Sequence, residues 1–205
     1  MSVARVKKLE WPEEEAMATP AGRPLLTIDE FHRMSEAGVL TEDDRVELIR
    51  GEIYEMTPTG SRHAACAREL NRLFVTGLGE RALIDLQNPL GFDDQDSELY
   101  PDLAVLRPLA HHYVSKVPGP EDVFLVVEVS DSSFRKDRKI KIPLYAESGI
   151  PEAWLVHLEG DVVIAFLQPS PDGYQVERTF RRGETISPQA FPDLSLPVAT
   201  ILDGR

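Results

Sequence analysis

Two carboxylates beside apolar, strand-like runs are the residues of this sequence best suited to chemistry. Glu128 follows the apolar residues 124–127, and Asp102 precedes the apolar residues 103–106. An unpartnered carboxylate in a buried strand is costly, so a positive group should face Glu128. If the two strands are neighbours, their carboxylates repel each other unless a cation joins them, and Mg²⁺ or Mn²⁺ suits such hard oxygen ligands. The pair predicts a metal site, whereas Glu128 alone is equally well explained by an ion pair with arginine or by a strand end in solvent.

A basic cluster follows the Glu128 strand directly along the chain. Its members, all within seven positions, are Arg135, Lys136, Arg138, Lys139 and Lys141. Most such runs are solvated helix faces. The chain has a net charge of −13, which weighs against binding nucleic acid through bulk attraction, so any such contact must be local. A basic cluster beside two carboxylates is well placed to bind phosphate.

Strand and helix patterns alternate along the chain around these residues. A capping box from Thr27 to Glu30 predicts a first helix, and Pro143 predicts that a helix over residues 138–148 is short or kinked. A second amphipathic helix is predicted at residues 61–76, and strands at residues 45–50, 52–56, 82–86, 103–106, 123–129, 153–157, 162–167 and 174–179. Glu47 lies on the first of these strands. The predicted class is α/β: a mixed β-sheet flanked by helices, with an additional antiparallel hairpin region.

The order of these motifs resembles the PD-(D/E)XK nucleases, in the variant whose lysine comes from the following helix. More closely, the sequence resembles the Uma-two family, which is classed with bacterial restriction endonucleases. The segments that carry the resemblance are residues 47–53, 100–105, 126–133, 137–145 and 149–154. The similarity extends over residues 26–198 and depends on the order and spacing of all five segments. It implies a restriction-endonuclease-like fold.

The resemblance also implies a role for each matching residue. These roles are metal ligation by Asp102 and Glu128, a catalytic lysine at Lys141, and an auxiliary acid at Glu47. In the mechanism that we expect from them, the Val129 carbonyl is a further ligand of the ion. Ser130 stands where the family motif has lysine, so activity depends on Lys141 reaching the site from the helix. His63 matches a histidine often found in the family, but for a lone histidine a structural role at the start of its helix is the stronger interpretation.

These roles favour a Mg²⁺- or Mn²⁺-dependent hydrolase that cleaves DNA as an endonuclease. The candidate substrate contacts are His63, Arg135, Lys136, Arg138 and Lys139. A homodimer is the natural assembly, because cutting both strands takes two active sites. Two alternatives remain: a nuclease-fold module that only binds DNA or a partner protein, and a hydrolase of small phosphoesters or nucleotides. The acidic net charge favours both alternatives, and the intact set of Asp102, Glu128 and Lys141 opposes the first.

Length and composition are typical of one globular domain of 205 residues. Residues 1–24, rich in proline and acidic residues, are expected to form a flexible arm, and residues 25–205 a single domain. Cys66, the only cysteine, lies in an apolar run and is expected to be buried, whereas His111 and His112 are expected in a solvated loop. No apolar run reaches the roughly 20 residues that span a bilayer, and residues 1–8 lack the apolar stretch of a signal peptide. A cytoplasmic protein without membrane contact is expected.

Overall fold

The computed structural model describes residues 25–41, 43–56 and 58–204 of the chain. Its helices are α1 (Ile28–Glu36), α2 (Ser61–Leu78), the single turn α3 (Phe134–Lys136), α4 (Ile142–Glu147) and α5 (Val198–Asp203). Its strands are β1 (Val46–Ile49), β2 (Glu52–Glu55), β3 (Leu83–Asp85), β4 (Leu90–Phe92), β5 (Ser97–Leu99), β6 (Leu103–Leu106), β7 (Val123–Ser130), β8 (Glu152–His157), β9 (Val162–Leu167), β10 (Val176–Arg181), β11 (Thr185–Ile186) and β12 (Leu196–Pro197). The predicted arm, residues 1–24, lies outside the described residues. Among the helices of the described ranges, none is long and apolar enough to cross a membrane.

Six strands form the main sheet, in the order β10-β9-β8-β7-β6-β3. β7 and β8 run parallel and all other neighbours run antiparallel, so the sheet is mixed, as predicted. β7 lies between β6 and β8, and its residues 125–127 have no exposed surface. This agrees with the prediction, because an apolar residue at every position is typical of a strand covered on both faces.

A second, antiparallel sheet has the order β2-β1-β5-β4, and β11 pairs with β12 separately. β1 and β2 are joined by the predicted tight turn, in which Arg50 and Gly51 both have positive φ angles, 51° and 77°. β4 and β5 were not predicted. Each has only three residues, and they contain Gly91 and Glu98, residue types that are uncommon in strands.

Two apolar clusters cover the two faces of the main sheet. One joins the sheet to α2 and α5, and the other joins it to α4 and the second sheet. Side chains alternate along β7, so Val127 and Val129 belong to the first cluster, whereas Val126 and Glu128 face α4. Cys66 is fully buried in the first cluster, as predicted.

The helical segment after β7 starts at Phe134, before the predicted start at residue 138, and contains a wide turn. Residues 137–141 form a π-helix, and the N–H of Ile142 donates to the carbonyl of Asp137, five residues earlier. Pro143 has no N–H, and in a regular helix its ring clashes with the carbonyl four residues before it. The π-helical turn contains one residue more than a regular turn and lies just before Pro143. The irregularity predicted from Pro143 is therefore a turn with one extra residue.

Candidate active site

A cavity of about 170 Å³ opens where β1, β6 and β7 approach the helical segment that follows β7. Its lining includes the predicted catalytic residues Glu47, Asp102, Glu128 and Lys141, together with Val129 and His63. The three acids and the lysine are all buried, with 8% or less of their surface exposed. Residues that are far apart in the sequence therefore meet around one cavity.

Asp102 and Glu128 lie next to each other on adjacent strands. Leu103 pairs with Val127 in the antiparallel register of β6 and β7, so the two acids occupy the following pair of positions. The N–H of Val129 donates to Asp102 Oδ2 at 2.8 Å, which ties the two strand ends together. The strands are therefore neighbours, as the metal-site prediction requires.

Lys141 reaches the site from the wide turn. Its Nζ lies 2.6 Å from Glu47 Oε1 and 3.3 Å from Glu128 Oε1. This ammonium group is the positive partner that the buried Glu128 was expected to need. Ser130, at the position where the family motif has lysine, donates its hydroxyl to Asp137 at 2.6 Å. Lys141 thus enters the cavity from the helical segment, where the resemblance places it.

The remaining basic residues of the cluster lie at different distances from the carboxylates. Lys136 lines the cavity, with its Nζ 3.4 Å from Glu47 Oε2. Arg138 instead pairs with Glu177 of β10 at 2.8 Å. Arg135 and Lys139 are exposed and lie outside the cavity lining. Of these four candidate substrate contacts, the structure brings Lys136 alone to the cavity.

His63 lies in the first turn of α2 and contacts a carboxylate of the cavity. Its Nε2 is 2.9 Å from Asp102 Oδ2, whereas its Nδ1 is buried without a hydrogen-bond partner among the described residues. Burial by itself would lower the pKa of the imidazole, but the Asp102 carboxylate more than compensates, and the pKa of His63 is raised. The His63 side chain therefore contacts Asp102 and also lies at the start of α2.

Several residues that the sequence analysis did not single out complete the hydrogen bonding of the acids. The Tyr145 hydroxyl donates to Glu128 Oε1 at 2.6 Å, the Tyr100 N–H donates to Glu47 Oε1 at 3.2 Å, and the Gln87 amide donates to Asp102 Oδ1 at 3.1 Å. A fourth acid, Asp137, is buried and also lines the cavity. Asp137 and Tyr145 carried a sequence signal, because each is four residues from Lys141 and this spacing places side chains on one helix face.

Comparison with known proteins identifies the family and the fold of the chain. Residues 28–199 match the sequence profile of the Uma2 family, described as "Putative restriction endonuclease". The chain belongs to the Uma2 family. The crystal structure of "a putative nuclease belonging to DUF820" from Anabaena variabilis matches with a TM-score of 0.71 at 18% identity, covering 87% of this Uma2 chain and 98% of that chain. The predicted family and the predicted restriction-endonuclease-like fold are confirmed, while no curated protein matches the sequence.

The cavity of this Uma2 protein holds more buried negative than positive charge. Four buried carboxylates, those of Glu47, Asp102, Glu128 and Asp137, face the ammonium groups of Lys136 and Lys141. Burial raises the pKa of the Glu128 carboxyl well above its usual range; Lys141 opposes this effect, and the neighbouring acids add to it. A bound cation or a proton on Glu128 balances the remaining negative charge.

The donor set at this cavity fits a hard divalent ion. Mg²⁺ usually takes one or two protein carboxylates and keeps several waters, and Asp102 and Glu128 are adjacent carboxylates of that kind. Within the described ranges, no group of three His, Cys, Asp or Glu side chains is arranged to enclose an ion. The fit is therefore to an ion held partly by protein oxygens and partly by water.

Proposed function

We propose that the chain is a metal-dependent endonuclease that hydrolyses phosphodiester bonds in DNA. One observation carries the proposal: Asp102, Glu128 and Lys141 line one cavity, with the lysine ammonium 3.3 Å from Glu128. Membership of a family described as "Putative restriction endonuclease" supports the same reaction class. Mg²⁺ or Mn²⁺ is the proposed cofactor.

Each residue of the proposed site has a distinct task. Asp102, Glu128 and the Val129 carbonyl would hold the ion, which when bound supplies Lewis-acid polarisation of the phosphoryl group. Lys141 stabilises the negative charge that develops on the phosphoryl oxygens. Glu47 anchors Lys141 through the 2.6 Å ion pair, so we assign it a positioning task.

Substrate contact is proposed for the basic residues at and around the cavity. Lys136 is nearest, and the exposed Arg135 and Lys139 are available to backbone phosphates on the surface. His63 orients Asp102 through their 2.9 Å contact. Because the chain has a net charge of −13, this binding is local and sensitive to salt.

A substrate panel tests the proposal directly. Supercoiled plasmid, single-stranded DNA and nucleotides are incubated with Mg²⁺, with Mn²⁺ or with a chelator. We expect plasmid cleavage with metal and none with the chelator. No cleavage of any DNA with either metal would contradict the endonuclease proposal.

A hydrolase of small phosphoesters is the second candidate. The observation that favours it is the size and charge of the cavity, about 170 Å³ surrounded by acidic residues. In the same panel, hydrolysis of nucleotides without plasmid cleavage would favour this candidate. Retention of uncut DNA would instead favour a module that only binds it.

We further propose that residues 25–205 form one nuclease domain and that two chains act together. A duplex has two scissile strands, and a two-fold dimer presents one active site to each. Sedimentation equilibrium is expected to give twice the mass of one chain. A single-chain mass at the concentrations where plasmid is cut would contradict the dimer.

A further inference from the structure

Asp137 differs from the other three buried acids of the cavity in how its oxygens are used. Both oxygens of Glu47, Asp102 and Glu128 contact an N–H, a hydroxyl or an ammonium group. At Asp137, Oδ2 accepts from the hydroxyls of Ser130 and Ser133, each at 2.6 Å. Its Oδ1 accepts no hydrogen bond from any residue that the structure describes.

That oxygen is not sealed from solvent. Asp137 belongs to the cavity lining. In the described part of the chain, the side-chain atoms that are both sealed from solvent and unpartnered are His63 Nδ1 and Gln95 Oε1. Asp137 Oδ1 is not one of them, so a water molecule in the cavity can reach it.

Hydrolysis of a phosphodiester needs a group that takes a proton from the attacking water. Lys141 is unsuited to this task, because its ammonium is ion-paired with both Glu47 and Glu128. The oxygens of the other three acids are already engaged. Among the four buried acids of the cavity, Asp137 Oδ1 is the oxygen left without a partner in the described residues.

We propose that Asp137 is a catalytic residue, with Oδ1 accepting the proton of the attacking water; this inference rests on the proposed phosphodiesterase function. One O–H bond of the water breaks and its proton moves to Oδ1, while the water oxygen forms a bond to phosphorus. The bond between phosphorus and the leaving oxygen breaks, and that oxygen takes a proton from solvent. Asp137 then returns its proton to solvent, which restores the carboxylate.

The two serines fix the direction of this carboxylate. Their hydroxyls hold Oδ2 from both sides, one from the end of β7 and one from the start of the helical segment. Oδ1 is thereby left without a described hydrogen-bond donor, on a residue that lines the cavity. Ser130 and Ser133 are positioning residues, because they act through Asp137.

Asp137→Asn is the central variant, because it keeps the size of the side chain and removes its capacity as a base. We expect kcat for DNA cleavage to fall by about 10²–10⁴-fold, the usual contribution of general acid–base catalysis. Calorimetric Mg²⁺ affinity and the melting temperature are expected to match those of the parent. Asp172→Asn is the matched control, since this exposed aspartate lies outside the cavity lining.

Chemical rescue separates a catalytic carboxylate from a structural one. Asp137→Ala leaves a space beside the cavity, and added formate should supply the missing carboxylate and recover at least about tenfold in rate. Asp102→Ala, treated in the same way, should recover nothing. Ser133→Ala removes one donor to Oδ2, and we expect a smaller loss, about tenfold or less.

The outcomes are distinguishable. A parent that cleaves no substrate overturns the proposed function, and this inference with it. If the parent is active and Asp137→Asn cleaves DNA within about threefold of the parental rate, the inference is overturned and the proposed function stands. Loss of Mg²⁺ affinity in parallel with rate would make Asp137 a ligand and would also overturn it. Loss of rate with retained metal affinity, together with formate rescue of Asp137→Ala, supports it.

Discussion

Two buried glutamates on neighbouring strands, Glu128 of β7 and Glu152 of β8, differ in ways that separate the proposed active site from a structural carboxylate. Both are at most 3% exposed, burial raises the pKa of both, and each accepts a 2.6 Å hydrogen bond from an aromatic side chain. The donor is the Tyr145 hydroxyl for Glu128 and the Trp154 indole N–H for Glu152. Burial and one aromatic donor are therefore common to both.

The surroundings of the two carboxylates differ. Glu152 has a second neutral donor, the N–H of Gln189 at 2.6 Å, and does not line the cavity. Glu128 has an ammonium partner in Lys141 and lies close enough to Asp102 for that acid to raise its pKa. Neutral donors satisfy a buried carboxylate and leave it inert, whereas a cluster of like charges around a cavity needs a cation.

The sharpest test of this difference is removal of the clustered acids. Asp102→Ala and Glu128→Ala are each expected to abolish measurable Mg²⁺ binding and to lower DNA cleavage by about 10³-fold or more, because they remove oxygens that hold the ion. Calorimetric titration beside cleavage assays measures both effects. Glu152→Ala is the control on the adjacent strand. Equal cleavage rates for Glu128→Ala and Glu152→Ala would contradict the proposed difference between the two glutamates.

Lys141→Ala tests the charge stabiliser instead of a ligand. It removes the ammonium group between Glu47 and Glu128, so metal affinity should be kept or raised while the rate falls by about 10²-fold or more. The same titrations and rates decide the outcome. A variant that cuts as fast as the parent would show that Lys141 is not the catalytic lysine.

Glu152→Ala is expected to affect stability and leave chemistry alone. The substitution strands the buried indole N–H of Trp154 and removes the acceptor of the Gln189 N–H, and loss of a buried partner costs roughly 1–3 kcal/mol of unfolding free energy. Denaturant unfolding measures the cost, and cleavage under native conditions should match the parent. A parental unfolding free energy would mean that these donors find other acceptors.

Glu152→Gln should change how stability depends on pH. Burial raises the pKa of the Glu152 carboxyl above its ordinary 4.5, and hydrogen bonds from Gln189 and Trp154 only partly oppose this. The folded state therefore binds the proton more tightly, which gives stability that is present below about pH 4.5 and lost as pH rises through the raised pKa. Denaturant unfolding at several pH values should show that the unfolding free energy falls less with rising pH for the variant than for the parent. The stability of the variant still falls somewhat with rising pH, because burial also raises the pKa of Glu128. Identical pH profiles of stability for variant and parent would contradict the assignment of this effect to Glu152.

Arg135→Ala is expected to have the smallest effect. This exposed arginine lies outside the cavity, so its removal should weaken DNA binding. The slope of the logarithm of the binding constant against the logarithm of salt concentration should decrease by the amount due to about one phosphate contact. Binding measured over a series of salt concentrations tests this, and Mg²⁺ affinity should not change. Arg178→Ala, on the exposed strand β10, is the matched control and should leave the slope unchanged.

Much of the fold could be predicted because local sequence rules and tertiary structure agree. The capping box of Thr27 and Glu30 is formed, the Arg50-Gly51 turn is tight, and the continuous apolar run before Glu128 is a central strand. The positions of Asp102 and Glu128 on adjacent strands could be predicted from the sequence for the same reason. Each acid interrupts an apolar pattern, and such interruptions are visible without a structure.

Other parts of the site depend on contacts between distant segments. Gln87 reaches Asp102 from a loop residue with a positive φ of 52°, and Tyr100 contacts Glu47 through its backbone, so neither side-chain type gave a signal. The short strands β4 and β5 owe their pairing to the second sheet and have little strand character of their own. The serine contacts of Asp137 likewise require the end of β7 to fold against the next helix.

The wide turn at Asp137–Lys141 makes chain length, as much as residue type, a requirement for this molecule. Deleting one residue within this segment would restore a regular turn, in which the ring of Pro143 clashes with the carbonyl four residues before it. The helix would then have to kink, and Asp137 and Lys141 would move relative to the acids on the strands, although every side chain of the proposed site would still be present. Exposed positions such as Lys139 should accept many substitutions, whereas a single-residue deletion there should be as damaging as loss of the proposed catalytic lysine.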